Sequence, residues 1–143
     1  MSRVERSALV PRPQSLLYEL VNDVESYPRH FAWCPKAEAL EQGPDHMLAR
    51  MTIAIGGMNV VFTTRNRLEP PERIAIHLVD GPFAKLEGVW EFRALGEHGA
   101  KISLALSFEP AGRLLGGALS LGFHRIADHM VDDFVRAAMA VQP

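Results

Sequence analysis

The run RLLGGALSLGFHRIADHMVDDFVRAAMAV, residues 113–141, reads as one amphipathic helix. Its large apolar residues, Leu115, Leu119, Phe123, Ile126, Met130, Phe134, Ala138 and Val141, follow one another in steps of three and four. Such steps keep them on one stripe of a 3.6-residue period. The other face carries His124, Arg125, Asp128, His129, Asp132, Asp133 and Arg136, with Asp132 four residues before Arg136 to form a modest surface ion pair. An apolar stripe of this length needs a partner. Most of the chain from Met47 to Pro110 alternates like β-strand, and folding that sheet around the helix buries both apolar faces at once. Periodicity alone leaves two outcomes open: a packed α+β core, or a core with a cavity between sheet and helix.

A chain of 143 residues is expected to form one domain, residues 1–143. A domain of this size buries about two-thirds of its unfolded surface and needs neither disulfide nor metal for stability. Lys and Arg number 15 against 17 Asp and Glu, so there is no overall field for nonspecific binding to polyanions, and no DNA partner is expected. A local basic patch remains open. The one cysteine, Cys34, cannot pair within the chain, and the opening Met-Ser-Arg-Val-Glu-Arg is charged where a signal peptide needs an apolar core. No apolar run approaches the roughly 18 residues of a membrane span. A cytoplasmic protein is expected, with contact at the inner-membrane surface left open.

Taken in order, Val4 to Val10 reads as an edge strand with Val4, Arg6, Ala8 and Val10 on one face. Leu16, Leu17, Leu20, Val21 and Val24 recur at helical spacing, predicting a helix over Gln14–Asn22 and a short turn over Val24–Tyr27 that Pro28 ends. The segment Tyr27 to Pro35 then holds Tyr27, Phe31 and Trp33 between prolines. It is either a plug for one end of the core or a lid over a ligand. Strands follow at Lys36–Gln42 and Met47–Ile55, the latter with Met47, Ala49, Met51, Ile53 and Ile55 on one face, and Gly56-Gly57 turns the chain. Met58–Leu68 aims Val60, Phe62, Thr64, Asn66 and Leu68 inward, so two polar side chains enter an apolar row. A buried amide must find partners, from the protein or from a ligand. Ile74, Ile76 and Leu78, then Leu86, Gly88, Trp90 and Phe92, then Ile102, Leu104, Leu106 and Phe108 complete the inward rows. Gly88 either relieves strand curvature or opens a cavity, and Gly116, Gly117 and Gly122 either leave space above the sheet or mark an irregular helix start.

No chemistry is advertised by motif. His124 and His129 stand five apart, about 140° around a helix, whereas a helical zinc pair needs a spacing of four. Nucleophile elbow, phosphate-cradling loop and dinucleotide fingerprint are all missing from the sequence. Cys34 follows His30 by four residues, yet nothing is placed to orient the imidazole, and a buried inert thiol is the plainer reading.

Four stretches carry a family resemblance. They are Val21-Asn22-Asp23-Val24-Glu25-Ser26-Tyr27-Pro28 running into Phe31-Ala32-Trp33-Cys34; Phe62-Thr63-Thr64-Arg65-Asn66; Leu78 to Phe83 with Leu86 to Phe92; and Met130-Val131-Asp132-Asp133-Phe134 with Arg136-Ala137. In this order the chain resembles the START-like, helix-grip proteins of the bacterial RatA and mitochondrial coenzyme Q-binding group, within the polyketide cyclase-like superfamily. The resemblance implies an α+β, Bet v 1-like fold. A seven-stranded antiparallel sheet would wrap a long C-terminal helix, with two short helices after strand 1 and an elongated apolar cavity between sheet and helix.

Two activities are implied. Mitochondrial members bind ubiquinone and support respiration and quinone synthesis, while the bacterial name comes from a toxin that blocks association of the ribosomal subunits. The residue types suit the first, a noncatalytic carrier of ubiquinone or a similar prenyl lipid with no cofactor required. The ribosome is the alternative partner, and a cyclase or hydrolase is a third reading, disfavoured by the lack of a paired acid and base. The implied ligand lining takes Tyr27, Phe31 and Trp33 from the aromatic loop and Met51, Phe62, Thr64, Asn66, Leu78, Phe83, Leu86 and Trp90 from the strands. Phe123, Ile126, Met130 and Phe134 join them from the helix.

Overall fold

The computed structural model describes residues 2–111 and 116–141. Strand β1 (Ser2–Val10) leads into helix α1 (Gln14–Asn22), a 3-10 turn (Val24–Ser26) and the short helix α2 (Tyr27–His30). Six strands follow: β2 (Lys36–Gln42), β3 (His46–Ile55), β4 (Met58–Glu69), β5 (Arg73–Asp80), β6 (Phe83–Ala94) and β7 (Ala100–Pro110). Helix α3 (Gly116–Ala140) closes the chain. All pairings are antiparallel, in the order β1-β7-β6-β5-β4-β3-β2, so the first strand returns to pair with the last. The helix-grip expectation is met, and α3 lies against β1, β3, β7 and α1.

The period-2 alternation places the rows as expected. Val60, Phe62, Thr64, Asn66 and Leu68 are buried, as are Leu86, Trp90 and Phe92 on β6 and Ile102, Leu104, Leu106 and Phe108 on β7. The β3–β4 turn uses Gly56 at φ 54° and Gly57 at φ 83°, the left-handed pair that a two-residue hairpin needs to match strand twist. On the edge, Arg6 stays exposed and its guanidinium pairs with the Asp128 carboxylate on α3. The pair ties the first strand to the helix.

Four details differ from the sequence reading. The buried stripe of α3 runs Leu119, Phe123, Ala127, Val131, Phe134 and Ala138, with Ile126 and Met130 half-buried and Val141 exposed. Small Ala127 lets the helix sit close, and it drew no notice because it is small; Arg113, Leu114 and Leu115 lie outside the described residues. Pro28 does not end a turn but sits in the first turn of α2, where a proline's missing N–H is harmless, and Tyr27 before it stays helical at φ −52°, ψ −42°. Arg136 pairs with Asp133 at 3.2 Å rather than with Asp132. Gly88 and Gly122 open no space. A Cβ on Gly88 would stand 2.7 Å from Leu106 Cδ1, and one on Gly122 would stand 2.1 Å from Ile55 Cγ2, so neighbours fill both gaps. Gly117 faces open surroundings with nothing within 4 Å.

Candidate functional site

Between the sheet and α3 lies a cavity of about 70 Å³. Of the residues expected to line a ligand, Tyr27, Met51, Phe62, Thr64, Asn66, Leu86, Trp90, Phe123 and Met130 form its wall. Sequence reasoning left out Val21, Asn22 and Val24 from the end of α1 and the turn after it, and Ile74, Ile76, Leu104 and Leu106 from the strands. The four strand residues were already legible as inward rows. The α1 residues were not, because a helix's period does not say which neighbour its face will meet.

The other six candidates stand elsewhere. Phe31 stacks on Trp33 at a centroid distance of 4.9 Å and meets the edge of Phe134 at 4.6 Å. Phe134 also packs on Tyr27 and Trp90, so these rings form a plug behind the cavity. Phe83 sits edge-on to Phe62 and Phe108 and tilts against Phe123, while Leu78 and Ile126 are half-buried against the core.

The aromatic segment is therefore no lid. Tyr27 and Phe31 are buried, and Trp33 is held by a 2.9 Å hydrogen bond from its indole Nε1 to Asp133 Oδ2. Asn22 borders both the cavity and a surface cleft with Glu19, Gln42 and Met47.

Few polar groups face the cavity. Thr64 donates from Oγ1 to Asn66 Oδ1 at 2.9 Å, so the two polar residues of β4 satisfy each other first. Asn22 Oδ1 is buried without a hydrogen-bond partner. The Tyr27 hydroxyl donates to the Val21 carbonyl, and burial raises its pKa so that it stays protonated. Among the described residues the wall holds no Asp, Glu, His, Lys or Arg, and no group of three or more His, Cys, Asp or Glu could hold a metal. Cys34 is fully buried, and burial pushes its thiol up to about 11, which keeps the weakly nucleophilic protonated form at neutral pH.

Size decides what the cavity holds as it stands. Sites for drug-sized ligands run to about 300–1,000 Å³, while one water takes about 30 Å³ of the liquid. At about 70 Å³ the space is smaller than such a ligand site, and its wall is mainly apolar.

Residues 10–135 match the family described as polyketide cyclase/dehydrase and lipid transport. The chain belongs to that family. It is similar to the ribosome association toxin RatA of Pseudomonas aeruginosa, 44% identical over 137 residues that cover 96% of this chain and 95% of that one. It is also similar to the actinorhodin polyketide synthase bifunctional cyclase/dehydratase of Streptomyces coelicolor, 33% identical over 109 residues, 74% of this chain and 34% of the relative. The Zhui aromatase/cyclase from Streptomyces sp. R1128 superposes with a TM-score of 0.86 at 21% identity, covering 96% of this chain and 93% of that one. At that identity the likeness is one of fold.

The expectation that this is no enzyme is overturned at the family level. The family's own description includes cyclases and dehydrases, and a relative bears both activities in its name. A catalytic pair assembled from separate strands leaves no short motif, so its absence from the sequence was no ground for exclusion. No described helix is long and apolar enough to cross a membrane.

Proposed function

We propose that this chain is a ribosome-associating regulator of the RatA kind, one that hinders the joining of ribosomal subunits. The observation that carries the reading is 44% identity to a protein named for ribosome association across 96% of this chain and 95% of that protein. A shared cavity alone would leave the outer surface free to diverge, whereas identity this high over the whole length includes the surface. The test is sedimentation of purified protein with separated ribosomal subunits through a cushion. Protein in the pellet with one subunit supports the reading, and protein left in the supernatant with both refutes it.

A second reading rests on the polar atoms in the apolar wall. Asn66 keeps its amide N–H groups in this lining, donors suited to a quinone carbonyl, and Asn22 Oδ1, buried without a partner, accepts only from a donor such as the hydroxyl of the reduced quinol. Ubiquinone or a related prenyl lipid remains the class proposed, provided the plug yields to widen a space of about 70 Å³. Lipid extraction and mass spectrometry of the purified protein test it. A stoichiometric prenyl lipid supports it, and its absence together with no thermal shift on adding a short-chain ubiquinone removes it.

A further inference from the structure

The outer face of the sheet carries a charge pattern that composition conceals. Arg65 and Arg67 alternate on β4, and Arg50 on β3 stands opposite Thr63, diagonal to Arg65. All three are exposed, and among the described residues none makes a salt bridge. Glu38, across from Arg50, reaches Lys36 at 3.4 Å, Glu69, two on from Arg67, reaches Arg73 at 3.9 Å, and Glu87, one strand beyond His77, reaches Lys85 at 3.5 Å, while Asp80, across from Thr63, makes no ion pair among the described residues.

Like charges this close on one face repel, and they weaken the sheet unless a partner neutralises them. Neighbours two apart on a strand stand about 7 Å from each other, and diagonal neighbours about 7–8 Å. The three guanidinium groups thus form a compact bend of sites, each able to fork onto one phosphate.

We infer that this face of β3 and β4 docks on the phosphate backbone of double-helical RNA. The inference rests on the ribosome reading for its setting and adds the surface and the chemistry. Arginine rather than lysine favours two-pronged contacts with phosphate. The aromatic side chains of β4 and β6 point into the core, so no stacking platform for unpaired bases stands on this face. Duplex RNA is recognised through shape and backbone, which needs none. An anionic membrane would offer phosphates too, but peripheral docking draws on aromatic anchors at the interface and on clusters of four to eight basic residues.

The test compares wild type, the triple variant Arg50→Gln/Arg65→Gln/Arg67→Gln, and the control Arg93→Gln/Lys101→Gln, whose residues face each other at the far end of the sheet. Each is titrated against a short RNA duplex over a range of salt, against phosphatidylserine vesicles, and against ribosomal subunits in a cushion. Three phosphate contacts give wild-type binding that falls by roughly fortyfold between about 50 and about 200 mM salt. The triple variant should lose about two to three units of that log–log slope and melt no lower than the wild type, while the control keeps the slope. An unchanged slope in the triple variant, an equal loss in the control, or arginine-dependent binding to vesicles with none to RNA overturns the inference. If the triple variant still sediments with a subunit as wild type does, this surface is wrong and the ribosome reading stands. If wild type binds the duplex through these arginines but never sediments with a subunit, the surface stands and the ribosome reading falls.

Discussion

Thr64 and Asn66 point into an apolar row and answer each other across 2.9 Å. Asn66→Leu strands the Thr64 hydroxyl in a buried site and should lower stability by about 1–3 kcal/mol in a denaturant melt. Thr64→Val with Asn66→Leu removes both partners together and should return stability to near the wild-type value. A double variant as weak as the single would mean the hydroxyl bonds elsewhere. Cys34 gives a pH prediction. Its pKa is raised from 9.0 to about 11 by burial, so the unfolded chain releases this proton first as pH rises. The stability it contributes is whole below about pH 9 and lost through about pH 11. Wild type should therefore fall in melting temperature across that window more steeply than Cys34→Ala, and equal slopes would count against a buried thiol.

The elements explain how much could be read in advance. Period-2 rows on six strands and the 3.6 period of the last helix fixed sheet, helix and order, because burial against a single core imposes one phase on each element. What escaped was set by close approach between elements. Gly122 looked like spare room, yet its missing side chain is where Ile55 of β3 rests. Gly122→Ala should cost about 1–3 kcal/mol by overpacking, and adding Ile55→Ala should cost less than the sum of the two single changes, since the clash is gone. A simple sum would show that the helix shifts freely. Likewise, the proline-bracketed aromatics looked equally like plug and lid, because a ring's neighbours cannot be read from its own segment. With Phe31 buried against Trp33 and Phe134, Phe31→Ser should destabilise by about 3–5 kcal/mol instead of loosening membrane contact in a stable fold. A wild-type melt with weakened binding to liposomes would restore the lid.

At the scale of the molecule, sums mislead. Fifteen basic against seventeen acidic side chains argue against a nucleic-acid partner, yet strand register gathers Arg50, Arg65 and Arg67 on one face, where Glu38 and Glu87 pair with lysines. The cavity was likewise legible as a place and not as a volume, since inward rows reveal which residues meet but not how fully they fill the space. Both findings turn attention from the core to the exterior. The claim that matters most is that the exterior engages the ribosome, and its most direct measurement is a sucrose-gradient profile of purified subunits brought together under joining conditions, with and without this protein. The account predicts that the joined-particle peak shrinks in proportion to added protein while separate subunits accumulate and one of them carries the protein. A profile unchanged at excess protein, with the protein left at the top of the gradient, would contradict it.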